Sequence, residues 1–492
     1  MKQRAAFVIG VAAAGWVVGR KVLGRALDRS DGGFSVRTGL ARRRQLATLG
    51  GRTGGALAVH KARRTFAGAE RREHLDMEFE MRTAAQIAET LGHMKGAMMK
   101  LGQMASYLDS GMPPHVREAL AQLQSDAPPM SGELAAGVVE SELGQHPDHL
   151  FAEWDPVPIA SASIGQVHQA VTRDGRAVAV KVQYPGVDEA IESDLSSAQL
   201  LFGGLGMVFP GLESGPIVEE IRARIIEELD YRREAENQQL FVERFAGHPT
   251  IHVPAVVPEL SSRRVLTTEL ADGVRFEEVL GWSEEERNLA AETIFRFVFR
   301  SLYRFGIFNG DPHPGNYLFR PSGQVVFLDF GLVKRFTPEE VDTFSSLVRS
   351  MVLHRDVASF RQTIEDIGLL KPGEPFSDEL VEDYFSHFYE MVLDDHERTV
   401  TKEYASESVR RIFDATGPYG EIMKVANVPP AFVIIQRINL GLTALLGELG
   451  ATANWRRIAE ELWPFTDGPP STPMGEREQA WLARRSSSPR PS

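Results

Sequence analysis

Three side chains near the middle of the chain have the types and spacing of a phosphoryl-transfer centre. Asp311 and Asn316 stand five positions apart in Asn309-Gly310-Asp311-Pro312-His313-Pro314-Gly315-Asn316, and the triplet Asp329-Phe330-Gly331 begins 13 residues after the asparagine. Phosphoryl transfer needs a carboxylate to orient the attacking oxygen, an amide oxygen for one Mg²⁺, and a second carboxylate for the cation bridging the phosphates. Asp311, Asn316 and Asp329 supply these groups in that order. A Pro/Gly turn with incidental acids would explain either half alone, but not both together.

Such a centre needs a cation for the nucleotide phosphates, and Lys181 answers that need. It ends the run Ala177-Val178-Ala179-Val180-Lys181, which lies 130 residues before Asp311. Alone, a lysine at the end of an apolar strand is weak evidence, since it can simply snorkel to solvent. Here it follows the small-residue loop Ala160-Ser161-Ala162-Ser163-Ile164-Gly165 and a hairpin signalled by Asp174-Gly175. Small residues let backbone N–H groups approach phosphates. Ala and Ser stand where a Gly-rich loop would be freer, which predicts a stiffer lid and an altered nucleotide preference.

A lysine in this role needs an acid to aim it. Residues 216–245 read as one helix, with Glu228, Asp230 and Glu234 near its centre. Asp230 and Glu234 share a face at this spacing. Glu234 is the first choice of partner for Lys181 and Glu228 the second. The strand 265–270 runs into Glu269-Leu270-Ala271, the expected hinge whose backbone meets adenine. A strongly apolar helix over 285–305 delivers the chain to Asp311, and a hairpin through Pro321-Ser322-Gly323 presents Asp329.

The rest of the chain sets the context. Its 492 residues are 43% hydrophobic and 25% charged, enough for two or three globular domains. It has no cysteine, which excludes disulfides, thiolate metal sites and cysteine nucleophiles. Residues 1–72 hold 16 Lys/Arg against three acids, so the arm is +13 and the remainder carries −26 of the net −13. A basic arm on an acidic body points to an anionic surface. Nucleic acid is not the expected partner, because no aromatics interleave the basic clusters. Within the arm, 5–19 form an apolar run around Trp16, too short to cross a bilayer comfortably. Three readings stay open for it: a signal-peptide core, a shallow anchor flanked by Arg20 and Lys21, or a helix buried against protein.

From 73 to about 124 the apolar spacing is helical, with Gly92, Gly96 and Ala97 allowing close approach of a second helix. On its residues alone, Lys100 reads as a surface lysine there. Residues 133–150 read as another helix, with Leu134, Val138, Val139 and Leu143 on one side, and Trp154–Pro158 as a linker.

At this point the chain resembles the UbiB/AarF family of atypical, protein-kinase-like proteins linked to quinone and isoprenoid-lipid metabolism. The resemblance rests on Lys100-Leu101-Gly102-Gln103, Leu123-Gln124 through Pro128-Pro129, Ser163-Ile164-Gly165-Gln166-Val167-His168, Glu228 with Asp230, Asp311 through Asn316, and Asp329-Phe330-Gly331. It implies an α+β, bilobal kinase-like fold, with an N-terminal helical extension over the cleft and a helical C-terminal lobe. It implies ATP and Mg²⁺ as cofactors, bound by the 160–165 loop, Ala179, Lys181 and 269–271, with Asn316 and Asp329 on the metal. It also implies that Lys100 and Gln103 engage Glu228 and Asp230, restraining the site and occluding a protein substrate. That overturns the surface reading of Lys100.

Departures from ordinary protein kinases matter. Gly310 stands where many kinases carry the arginine that reads an activation-loop phosphate. No A-P-E triplet follows Asp329 within 40 residues; 336–353 read instead as a helix opening at Thr337-Pro338. Peptide phosphorylation is therefore not expected. Further helices are expected over 379–393 and 431–446, the latter a core helix because Arg437 and Asn439 interrupt it.

The expected organisation is a basic arm (1–72), a helical extension (73–130), an N-lobe (131–273), a C-lobe (274–465) and a disordered tail (466–492). The expected function is restrained ATP-dependent phosphoryl transfer or ATP hydrolysis on the cytoplasmic face of a membrane. The implied partners are a membrane lipid or a quinone or isoprenoid precursor, and lipid-biosynthesis enzymes. The alternatives are a nucleotide-sensing scaffold without turnover, or a relative of aminoglycoside or choline kinases; the latter would lack the Lys100–Gln103 motif.

Overall fold

Period-two alternation builds the first half of the molecule. The computed structural model describes residues 130–162, 164–187, 229–413, 417–427 and 429–487. Strands β1 (Phe151–Ala162), β2 (Gly165–Thr172), β3 (Ala177–Gln183) and β5 (Val265–Glu269) form one antiparallel sheet in the order β1-β2-β3-β5. On β3, Val178, Val180 and Val182 are buried on one face, while Ala179 and Lys181 lie half-buried on the other. Helix α1 (Gly132–Leu143) covers the valine face with Ala135, Val138 and Val139. Ser131 caps it by accepting from the Leu134 N–H, and Gly144 ends it at φ 79°. That glycine splits the helix expected over 133–150, and Leu134 is exposed rather than on the buried side.

The segment Trp154–Pro158 is not a linker. It lies within β1, whose pairing with β2 shifts register between Trp154 and Pro158. Pro156 and Pro158 have no N–H for the ladder, so the strand must bulge there. Trp154 holds the bulged segment by stacking on the His168 ring, 4.7 Å between centroids.

The second lobe is organised by α3 (Glu284–Phe305), capped by Ser283 and ended by Gly306 at φ 62°. It leads directly into β6 (Ile307–Asn309), which pairs with β9 (Val333–Arg335). Between them, β7 (Tyr317–Arg320) and β8 (Gln324–Phe327) form a hairpin, and β4 (Ile251–His252) joins β8 in parallel. The core here is aromatic: Phe297 of α3 stacks on Phe327 at 3.7 Å. Helix α4 (Pro338–Val348) starts at a capping box of Thr337 and Glu340 and continues into a π-helical turn, Arg349–His354. The helix expected over 379–393 breaks into Asp378–Ser386, a 3₁₀ turn at His387–Tyr389, and Glu390–Leu393. Helix α5 (Pro430–Leu449) is long and apolar enough to cross a membrane by length and composition, yet Ile438, Leu442, Leu445, Leu446 and Leu449 are buried in the lobe's core.

The expected disordered tail is corrected over most of its length. Residues Pro473–Ser487 form α6, which buries Met474, Glu478 and Trp481. The Ser/Arg-rich composition after Trp481 hid an anchor that depends on one carboxylate. Glu478 bonds Arg296 at 2.8 Å, Arg300 at 2.5 Å and His248 at 3.1 Å. Residues 488–492 lie outside the described residues.

Candidate functional site

Lys181 reaches the inter-lobe cleft because β3 alternates: its neighbours Val180 and Val182 face the core, so it faces away from it. Its Nζ donates to both carboxylate oxygens of Glu234, at 2.7 and 2.9 Å, and stands 3.8 Å from Asp329 Oδ2. Burial, the largest influence, disfavours the ammonium, but Glu234, Asp329 and the Tyr231 ring outweigh it and hold the pKa above its usual value. Lys181 is charged at neutral pH. Side-chain exposure rises across the three groups, from 7% for Glu234 through 17% for Lys181 to 35% for Asp329. The aligning acid is thus sealed, and the prospective metal ligand is open to a nucleotide.

The continuous helix expected over 216–245 is not what positions Glu234. Helix α2 (Tyr231–Arg244) begins only after Asp230, which is extended (φ −118°, ψ 94°) and accepts from the Arg232 N–H as the N-cap. The break puts Glu234 in the first turn, against β3. Asp230 faces elsewhere: Arg232 donates to it from Nε and Nη2 at 2.9 and 2.7 Å, holding its pKa below the usual carboxylate range. Asp230 and Glu234 therefore do not share a face. Lys100, Gln103, Ser163 and Glu228 lie outside the described residues.

The Asp329 segment is pinned at four points. Its Oδ1 accepts from the Gly331 N–H at 2.9 Å, and its carbonyl accepts from Asn309 Nδ2 at 2.6 Å. Asn237 Nδ2 donates to the Phe330 carbonyl at 3.2 Å, and the Phe330 ring packs on Phe241 at 4.8 Å. Asn309 and Asn237 are positioning residues that the sequence reading missed. The available signals were an asparagine two before Asp311 and another one turn after Glu234.

In the Asp311 loop, Asn316 Nδ2 donates to Asp311 Oδ2 at 3.0 Å and to its carbonyl at 3.1 Å. The amide nitrogen is thereby committed, which leaves the Asn316 oxygen as the group that can meet a cation. The Gly310 N–H donates to the Leu332 carbonyl at 2.7 Å, and a Cβ at 310 would lie 3.2 Å from Leu332 Cγ. Glycine there lets the loop and the strand after Asp329 close on each other. Helix α5 backs the loop: Gly441 lies so near Pro312 that a Cβ would come within 2.3 Å of its Cγ.

The small-residue loop is tightly held. Ala162 pairs with Gly165 across a two-residue turn, and Ala160 and Ser161 pair with Val167 and Gln166. The Ile164 side chain is buried, and a Cβ on Gly165 would strike the Val182 carbonyl at 2.3 Å. Those two residues clamp β2 onto β3. Ala160, Ser161 and Ala162 remain at least partly accessible. At the hinge, the N–H groups of Glu269 and Leu270 are taken by the carbonyls of Ala255 and Ala177. Glu269's carboxylate bonds His252 at 3.2 Å. Adenine recognition by those two N–H groups is therefore not open.

The donor set suits Mg²⁺, which binds through one or two carboxylates and takes its remaining oxygens from water and phosphate. Among the described residues no cluster of three or more His, Cys, Asp or Glu could hold a metal by itself. Asp329 and the Asn316 oxygen would need the nucleotide to complete the shell.

Residues 122–364 match the ABC1 atypical kinase-like domain. The structure resembles that of Rv3197 from Mycobacterium tuberculosis, solved with erythromycin, with a TM-score of 0.59 and 30% identity over 80% of this chain and 98% of that one. The chain belongs to the ABC1/AarF, or UbiB, family of atypical kinases. The bilobal kinase-like fold is that of the family. Curated ABC1 relatives include rat atypical kinase COQ8B, mitochondrial, 36% identical over 54% of this chain and 51% of that protein. The yeast relative, atypical kinase COQ8, mitochondrial, is 29% identical over 57% of this chain and 56% of that one. An Arabidopsis thaliana aarF domain-containing kinase, At1g71810, chloroplastic, is 32% identical over 81% and 56%. The chain spans about half the length of these relatives.

Proposed function

We propose that this ABC1 protein binds Mg-ATP and carries out restrained phosphoryl transfer or ATP hydrolysis at a membrane, in support of quinone or isoprenoid-lipid metabolism. The observation that carries the reading is the Lys181–Glu234 pair at 2.7 Å with Asp329 3.8 Å away, an arrangement already set to receive phosphates. Lys181 holds the phosphates and Glu234 aims it. Asp311, itself oriented by Asn316, positions the attacking oxygen. Asn316 and Asp329 would hold Mg²⁺, which when bound would supply positive charge to the phosphates. Asn309 and Asn237 keep the Asp329 segment from swinging out.

The family resemblance and the sequence support the setting. COQ8 proteins lend the link to ubiquinone biosynthesis. The basic arm and residues 5–19 provide a peripheral attachment to anionic lipid on the cytoplasmic face. Lys100 and Gln103 restrain turnover by engaging Glu228 and Asp230. Single-turnover ATP hydrolysis with and without anionic liposomes tests the reading: slow hydrolysis that lipid accelerates, and that Asp329→Asn abolishes, is expected. ATP binding without any turnover in either condition would leave the scaffold reading in its place. Membrane fractionation of the full chain against one lacking residues 1–30 tests the attachment.

A further inference from the structure

Tyr231, the first residue of α2, is 1% exposed and stands between the lysine and the small-residue loop. A buried tyrosine is ordinarily just core. The neighbours of this one are polar. Its ring faces the Lys181 ammonium, with Nζ 5.0 Å from the centroid. At its far end, the hydroxyl oxygen lies 2.9 Å from where a Cβ on Gly165 would stand. The ring therefore spans from Lys181 to the turn that closes the loop.

Two hydrogen bonds fix where the ring starts. The Tyr231 N–H donates to the Arg263 carbonyl at 2.9 Å, and Gln183 Nε2 donates to the Leu229 carbonyl at 3.3 Å. Gln183 ends β3 and Arg263 precedes β5, so the start of α2 is tied to the edge of the sheet that carries Lys181. Tyr231 and Glu234 are three positions apart on α2 and share a face. Lys181 thus meets two groups from one helical turn, a carboxylate and a π face.

The two hold it differently. The lysine stem is flexible, and its three N–H donors are what an incoming phosphate would seek. Glu234 accepts from Nζ at 2.7 and 2.9 Å, so carboxylate and phosphate draw on the same donors. A ring face attracts the ammonium through its quadrupole and takes up no donor.

We propose that Tyr231 is a positioning residue for Lys181: its ring face holds the ammonium in place while the N–H donors are shared between Glu234 and the nucleotide phosphates. This role rests on the Mg-ATP reading of the site.

The test compares Tyr231→Leu, which keeps apolar bulk and loses the π face, with Tyr231→Phe, each in the full wild-type chain and in Lys181→Met. ATP affinity is read by fluorescence titration, with the denaturant midpoint measured alongside. Tyr231→Leu should weaken ATP binding about tenfold in the wild-type chain, and Tyr231→Phe, which returns the ring, should recover most of that loss. In Lys181→Met no ammonium remains to be held, so Tyr231→Leu should add no further loss of affinity. A tyrosine with a merely structural role would weaken ATP equally in both backgrounds, and that result overturns the proposal. So does an unchanged affinity in Tyr231→Leu, or a Tyr231→Phe as weak as Tyr231→Leu. Equal ATP affinity of the wild-type chain and Lys181→Met would instead overturn the Mg-ATP reading itself. A second measurement needs no variant at position 231. The ε-CH₂ resonance of Lys181, assigned by its loss in Lys181→Met, should show the upfield shift of protons over a ring face and keep it at saturating ATP. Its return to the ordinary lysine position on adding ATP would also sink the proposal.

Discussion

Two constellations of buried charge, one at the inter-lobe cleft and one between α3 and α6, are built to opposite ends. Around Lys181, one cation faces Glu234 and Asp329, and exposure climbs to 35% at the outer carboxylate. Around Glu478, which is 2% exposed, Arg296, Arg300 and His248 converge, and Glu292 and Glu461 each lie 2.8 Å from Arg296. Both perturb pKa values strongly. Burial alone would raise that of Glu478, but the hydrogen bond from His248 and the charges of Arg300 and Arg296 hold it well below the usual carboxylate range. A shifted pKa therefore does not by itself mark a site of chemistry. The difference lies in access: one cluster keeps a ligand position open at its rim, and the other is closed on every side by protein.

The comparison can be broken by removing one acid from each cluster. Glu478→Ala strands the buried Arg300 and takes one of three carboxylates from Arg296, and should cost about 3–5 kcal/mol of folding stability, read from the denaturant midpoint, with ATP affinity intact in the molecules that remain folded. Asp329→Asn should do the reverse: roughly a 10²–10³-fold loss of ATP turnover, with the denaturation midpoint hardly moved. Equal stability losses in the two variants would erase the distinction. Lys181→Met should lower turnover about 10²-fold and weaken ATP binding measured by fluorescence titration.

Acid separates the clusters further. Glu478 has its pKa depressed in the folded state, so its contribution is complete above the unfolded value near 4.5 and is lost as pH falls below it. Thermal midpoints should drop below about pH 4.5 in the wild type, and drop less in Glu478→Gln, which has no carboxylate there to protonate. Lys181 has the opposite sign: its raised pKa keeps its contribution complete below 10.5, so it adds no slope in that acid range. The smallest effect is expected at the turn. Ala160 and Ala162 lie in β1, where alanine is unstrained, so Ala160→Gly and Ala162→Gly should change ATP and ADP affinities by only a few-fold, by loosening the strand.

The kinase-like half of the fold was legible because its signals are local. Val178 to Lys181 alternates, Asp174-Gly175 turns, and Asp311, Asn316 and Asp329 keep their spacing whatever surrounds them. What was misread depends on contacts distant in sequence. Asp230 looks like mid-helix sequence until its side chain is seen capping a new helix. Trp154–Pro158 looks like a linker because its prolines mask a bulged strand held by His168. Residues 473–487 look disordered by composition, since one buried carboxylate 178 positions from Arg300 leaves no trace in a window of a dozen residues. Asn309 and Asn237 were missed for a related reason: both act by bonding backbone carbonyls, a role that any polar residue can play.

That separation has a consequence for how the protein is made. Synthesis proceeds at about 5–20 residues per second, so Arg300 emerges roughly 10–35 seconds before Glu478, 178 residues behind it. Throughout that interval Arg300 lacks the carboxylate that compensates its burial, and the lobe cannot close over it without heavy cost. The ribosome thus releases the Asp311 and Asp329 segments before the lobe that supports them can lock.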